Sequence, residues 1–142
     1  MALIHPNPEL EKQVDEAING FAARGFRSLA VARGVPGKSG GDTIWQLEGI
    51  LSLYDPPRDD SKDTIIAAQQ LGVNVKMITG DQVIIGQEIA RQLGLGTSIQ
   101  KADILDSIGE NENDKLADLA ENADGFGQVF PEHKYRIVGA LQ

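Results

Sequence analysis

Pro56 and Pro57, placed directly behind the alternating stretch 45–53, constrain this chain more than any other pair of residues in it. Neither proline can donate a backbone hydrogen bond, and both hold φ near about −65°, so a strand running into Asp55 must end there. The chain then leaves by a stiff turn. Apolar spacing also changes across it: before the turn it suits a helix and two antiparallel strands, and after it helices and strands alternate. Two domains are therefore expected, over residues 1–54 and 55–142.

The elements follow from local chemistry. Asn7 is placed to cap a helix with Pro8 at its first position, where a missing N–H costs nothing. Leu10, Val14, Ile18 and Phe21 recur at three- and four-residue spacing, which predicts an amphipathic helix over 7–24 that Gly25 ends. Residues 27–33 suit a strand and glycine-rich 34–42 a loop. Trp45, Leu47, Gly49, Leu51 and Leu53 alternate with polar residues, as a second, antiparallel strand would. Beyond the prolines, Asp60 or Ser61 can cap a helix through Gln70, 73–78 is an apolar run of strand length, and 82–93 is helical with Gly94 as its stop. Helix 114–122, strand 126–130 and a last helix opened by Pro131, with Ile137, Val138 and Leu141 on one side, complete the pattern. Alternation of this kind predicts an α/β fold with a parallel, doubly wound sheet.

Composition narrows the function. With 142 residues and 41% apolar content, the chain can bury one core or two small half-cores. Its apolar runs fall far short of the roughly 20 residues of a membrane span, so a soluble piece is expected. No cysteine is present, which removes disulfides and thiolate metal sites. The N-terminus has neither the basic nor the apolar region of a signal peptide. A formal charge of −8 argues against nucleic-acid binding and makes any anion site a local matter of a few cations and backbone amides. In 101–124 eight carboxylates stand against two lysines, which reads as a solvated outer loop and helix.

In an open parallel sheet, ligands lie beyond the carboxyl ends of the strands. Thr79, Gly80 and Asp81 fall there, between strand 73–78 and helix 82–93. The helix start offers N–H groups, Gly80 permits close approach, and the Thr79 hydroxyl adds a donor, which suits phosphate. The same tripeptide equally suits a plain turn with Asp81 as helix cap. Lys134, just after strand 126–130, would reach the same edge and could neutralise a phosphoryl group, or could be an ordinary surface lysine. His133 reads as structural or exposed rather than as a base, and with His5 it makes no metal pattern. Arg27, in the first domain, could bind a nucleotide phosphate or simply flank its strand. Asp55 and Arg58 could bind each other or bracket a hinge.

Taken in order, Arg27-Ser28-Leu29-Ala30-Val31-Ala32-Arg33, Asp55-Pro56-Pro57-Arg58, Gly72-Val73-Asn74-Val75-Lys76-Met77-Ile78-Thr79-Gly80-Asp81 and Ala123-Asp124-Gly125-Phe126 through Phe130-Pro131-Glu132-His133-Lys134-Tyr135 resemble the plasma-membrane proton-pumping branch of the P-type ATPases. The similarity runs from about residue 10 to the end. It implies a partial haloacid-dehalogenase-like (Rossmann-like) fold in 55–142, the phosphorylation domain, and a short antiparallel hairpin in 1–54 that closes the nucleotide-binding domain. By the same resemblance Thr79 and Lys134 are catalytic, Thr79 touching phosphate and Lys134 steadying an aspartyl phosphate. Arg27, Thr79, Gly80 and Asp81 bind nucleotide, and Asp55 and Arg58 form the hinge. Gln128, where the calcium-pump branch has an arginine, fits the proton-pump branch.

The resemblance implies a parent pump in the plasma membrane with this segment facing the cytoplasm, ATP and Mg2+ as its cofactors, and its membrane and actuator domains as partners. The family's phosphorylated Asp-Lys-Thr-Gly-Thr and magnesium-site Gly-Asp-Gly-x-Asn-Asp strings do not occur in these residues. No metal site is therefore assigned, no cofactor is required by the segment itself, and it is expected not to turn over ATP. Exposed sheet edges would favour a homo-oligomer. A free-standing, non-catalytic module that binds nucleotide or a partner is the alternative. A phosphatase of the same fold would need an Asp-x-Asp nucleophile, which is absent.

Overall fold

The computed structural model describes residues 7–37, 42–109 and 112–142. The chain forms two compact units, Met1–Asp55 and Pro56–Gln142.

The first unit opens with helix α1 (Pro8–Ala22), whose first turn is capped by the Asn7 side chain accepting from Leu10 N–H at 2.8 Å. Val14 and Ala22 are its buried positions. Strands β1 (Arg27–Pro36) and β2 (Thr43–Leu53) form an antiparallel ribbon that pairs Leu29 with Leu51 and Arg27 with Leu53, with a bulge at Val31/Ala32. Strand β1 runs on through Gly34–Pro36, where a loop was expected, and β2 starts at Thr43, two residues before Trp45. Phe26 stacks on Tyr54 with ring centroids 4.7 Å apart, just outside the Arg27–Leu53 pair at the open end of the ribbon. The register puts Leu29, Val31, Leu51 and Leu53 on one face, and all four are exposed.

The second unit runs α2 (Ser61–Gln70), β3 (Met77–Ile78), α3 (Val83–Leu93), β4 (Ile99–Lys101), a 3-10 helix (Ala102–Ser107), α4 (Asn113–Asn122), β5 (Gly125–Gly127) and α5 (Pro131–Ala140). Its three strands are parallel in the order β3-β5-β4. One face of this sheet packs Ile99, Ala90 and Leu95 with Ile65, Val75, Met77 and Val83. The other packs Phe126 with Ala102, Leu105, Leu116, Ala120, Ala123 and Ile137. Helices cover both faces, as the doubly wound pattern requires. Burial of Phe126 or Leu105, both fully enclosed, is worth about 1.5–3 kcal/mol each.

Several expectations are corrected. Of 73–78 only Met77 and Ile78 pair as a strand. Lys76 instead sends its ammonium to the carbonyls of Glu121 and Ala123 at 2.6 and 2.7 Å, where the end of α4 exposes unpaired acceptors of negative partial charge. Strand 126–130 is cut to Gly125–Gly127 because Gln128 turns out of the sheet with φ of 56°. The acidic stretch is not simply solvated: the 3-10 helix and α4 lie within it, and Leu105, Leu116 and Ala120 face the core while Asp103, Asp106, Asp114, Asp118 and Glu121 are exposed. Asp60 stands at the N-cap position of α2 without a side-chain cap bond. In α5 Ile137 is buried, but Val138 and Leu141 are about half exposed.

The glycines of β5 show how closely this sheet is built. A Cβ on Gly125 would stand 2.2 Å from the Met77 carbonyl oxygen, and one on Gly127 would stand 3.0 Å from Val83 Cα. Strand β5 therefore lies tight against both β3 and the start of α3. That closeness brings the end of β3 and the end of β5 together.

Candidate functional site

The segment between β3 and α3 is held by its own polar atoms. Thr79 N–H donates to Phe126 O at 3.0 Å, continuing the β3-β5 pairing one residue beyond the strand. The Thr79 hydroxyl accepts from Asp81 N–H at 3.1 Å and donates to Asp81 Oδ2 at 3.2 Å, closing a small ring around Gly80. The N-cap of α3 is Gln82, which makes no side-chain cap bond. The N-cap position thus falls on Gln82 rather than Asp81, whose carboxylate accepts from the Thr79 hydroxyl. The nearest atom to a Cβ on Gly80 would be Val129 O at 3.7 Å, so the chain's own described atoms do not demand glycine there.

The end of β5 is bonded to the same loop. Gln128 N–H donates to Asp81 O at 2.7 Å and Val129 N–H to Thr79 O at 3.0 Å. Phe130 and Pro131 follow and start α5, so the exposed Lys134 lies in the first turn of a helix that begins two residues beyond a direct bond to Thr79. Thr79, Gly80 and Asp81 are in this way bonded to the end of β5, the stretch from which α5 and Lys134 follow. Gly86, buried on α3, sets the other side of Thr79: a Cβ there would stand 3.2 Å from the Thr79 methyl.

Arg27 is the first residue of β1 and belongs to the other compact unit. Asp55 closes the first unit, and Arg58, in the second, pairs with Asp60, Nε to Oδ1 at 3.7 Å. Both of those side chains are largely exposed, and such a pair contributes little. His133, expected to be structural or exposed, is buried and has both ring nitrogens engaged. Among the described residues no group of three His, Asp or Glu could hold a metal ion. These residues therefore do not fit a magnesium site. Two grooves of about 510 and 450 Å³ lie along α4 and α5, and neither is lined by Thr79, Gly80, Asp81 or Lys134.

Among the described residues no helix is long and apolar enough to cross a membrane. A family model described as haloacid dehalogenase-like hydrolase matches residues 3–142. Plasma membrane ATPase 1 of Saccharomyces cerevisiae is 46% identical over 141 residues, covering 97% of this chain and 15% of that protein. Plasma membrane ATPase 2 of the same organism is also 46% identical over 141 residues, covering 97% of this chain and 14% of its own length. The chain thus spans about one seventh of the length of these curated relatives. With its parallel sheet clad on both faces, it belongs to the haloacid dehalogenase-like hydrolases, in the branch of the P-type ATPases.

Proposed function

We propose that this chain is the ATP-handling segment of a proton-exporting pump of the plasma membrane, facing the cytoplasm. Residues 1–54 end its nucleotide-binding domain, residues 55–142 form the middle of its phosphorylation domain, and Asp55 and Arg58 flank the hinge between them. The observation that carries this reading is the 46% identity to both plasma membrane ATPases over nearly the whole chain. It is supported by the convergence of Thr79, Gly80, Asp81 and the first turn of α5 at one sheet edge.

A transferring phosphoryl group spreads negative charge over its oxygens, and its transfer depends on positioned donors and cations. Thr79 supplies a hydroxyl whose orientation Asp81 sets, Gly80 leaves room for a close oxygen, and Lys134 brings a positive charge to an otherwise anionic chain. Arg27 binds the phosphates of ATP from the nucleotide-binding side. ATP and Mg2+ serve the whole pump, and no step here runs through the metal. The chain alone forms no aspartyl phosphate, so γ-labelled ATP leaves no acid-stable label on it.

Association between copies falls to the β1-β2 ribbon. Its strands of 10 and 11 residues leave two long edges and an uncovered apolar face, whereas β3 and β4 present edges of only 2 and 3 residues. Sedimentation of the chain and of Leu29→Lys tests this: dimers that the substitution removes are expected, and a wild-type monomer at high concentration is the contrary result.

The function is tested by replacing the matched stretch of Plasma membrane ATPase 1 with this chain and measuring ATP-driven proton movement in membrane vesicles. Proton movement is expected to persist in the chimera and to be lost with Thr79→Ala or Lys134→Ala. A chimera present at normal levels but inactive overturns the reading.

A further inference from the structure

His133 is the only polar or charged residue among the buried described residues, and it lies immediately before Lys134. Its Nδ1 accepts from Phe130 N–H at 3.2 Å, and its Nε2 meets Asp106 Oδ1 at 3.1 Å. An imidazole nitrogen that accepts a backbone N–H carries no proton, so the hydrogen-bond network assigns the neutral tautomer with the proton on Nε2, donated to Asp106. Phe130 is thereby fixed at both backbone atoms, because its carbonyl accepts from Lys134 N–H at 3.2 Å. Those two bonds close the first turn of α5 around the lysine.

A second tie lies on the other side of Lys134. The Arg136 guanidinium donates through Nη1 to Leu105 O at 2.6 Å and through Nη2 to Ile108 O at 2.9 Å. His133 and Arg136 therefore both bind the stretch from Leu105 to Ile108, at and just beyond the end of the 3-10 helix, one by a side chain and one by carbonyls. Leu105 within it is fully buried, so the anchor is part of the core. Between β5 and α5 the chain passes through Gln128 in the left-handed region, and the backbone bonds of Gln128 and Val129 to the Thr79 loop stop short of α5 itself.

We propose that His133, held by Asp106, is the positioning residue that sets Lys134 against the phosphate edge at Thr79. This deepens the phosphate-site reading above and rests on it. His133 touches no reacting atom. It fixes the helix turn from which the lysine ammonium reaches, so its loss lowers the effectiveness of the cation without removing it.

The test uses the 15N-labelled chain with inorganic phosphate as the probe. Imidazole nitrogen shifts of the wild type near neutral pH should show an unprotonated Nδ1 and a protonated Nε2; the opposite tautomer overturns the proposal. On phosphate titration the amides of Thr79, Gly80 and Asp81 and the side chain of Lys134 should respond together. In His133→Ala the Lys134 response should require about tenfold more phosphate, as loss of one positioning hydrogen bond implies, while the Thr79 amides still respond. His133→Asn keeps an acceptor for Phe130 N–H and should recover most of it. An unchanged Lys134 response in a folded His133→Ala chain overturns the proposal. Should that variant not fold, the wild-type tautomer together with the Lys134 response decides. A wild type in which Thr79 responds and Lys134 does not overturns the positioning role alone, whereas one with no response at either removes the phosphate site and the positioning role with it.

Discussion

Gln128 donates its backbone N–H to the carbonyl of Asp81 at 2.7 Å while standing at φ 56°, the one described non-glycine residue with positive φ. The end of β5 is thus bent out of the sheet at the point where it meets the loop bearing Thr79. A glutamine in this region is strained by about 1 kcal/mol, and a β-branched residue by more. Gln128→Val is expected to destabilise the second unit by about 1–3 kcal/mol, and Gln128→Gly to be close to neutral. Urea unfolding of the two variants checks the order.

Gly86 separates two effects that usually travel together. Glycine inside a helix costs about 0.5–1 kcal/mol relative to alanine, which offsets the crowding of a new Cβ 3.2 Å from the Thr79 methyl. Gly86→Ala should therefore leave stability within about 1 kcal/mol of the wild type but shift the Thr79 methyl resonance and weaken the hydroxyl bond to Asp81. An unmoved Thr79 methyl would show that α3 yields instead.

Gly125 has no such tolerance. The Met77 carbonyl oxygen would lie 2.2 Å from an added Cβ, and it is backbone that cannot swing aside. Gly125→Ala should cost more than about 4 kcal/mol and abolish the cooperative unfolding of the second unit. A well-folded variant by circular dichroism and amide spectra would contradict the packing described.

Acid sensitivity should trace in part to Glu88. Hydrogen bonds from Arg91 and then Gln92, with the charge of Arg91 added, lower its carboxyl from 4.5 to about 2. A carboxylate depressed on folding adds stability above its unfolded value and loses it as the pH falls toward the folded one. The contribution is full above about pH 4.5 and fades between there and about pH 2. Glu88→Gln should flatten the stability curve in that window and leave its slope near neutrality unchanged, as read from denaturation midpoints.

Much of the architecture was legible in the chain because its signals are local. Asn7 before Pro8 marks the start of α1, Gly94 marks the end of α3, and the alternation through Trp45 and Leu53 marks β2. Strand β4 was not, since Ile99, Gln100 and Lys101 are too few to show a period and become a strand only by pairing with β5. Leu105 and Leu116 were hidden in the same way by the carboxylates around them, although their spacing from Ala102 and Ala120 carried the buried stripe. At the candidate site Thr79 and Lys134 stood out by position, whereas nothing in a glutamine announces the left-handed turn at Gln128. His133 could have been recognised: three residues after the N-cap and two after Pro131, it occupies the position from which a side chain reaches back to the first free N–H.

Strand β5 is the last of the three in the chain, yet it is the only one the other two touch. Residues 77–78 and 99–101 never pair with each other. Among the described residues, β3 and β4 accordingly gain a strand neighbour only once Phe126 arrives. Closure over some 50 intervening residues makes sheet formation a single late event. During synthesis the arrival of this central strand between its two neighbours completes, in the same step, the edge that carries Thr79.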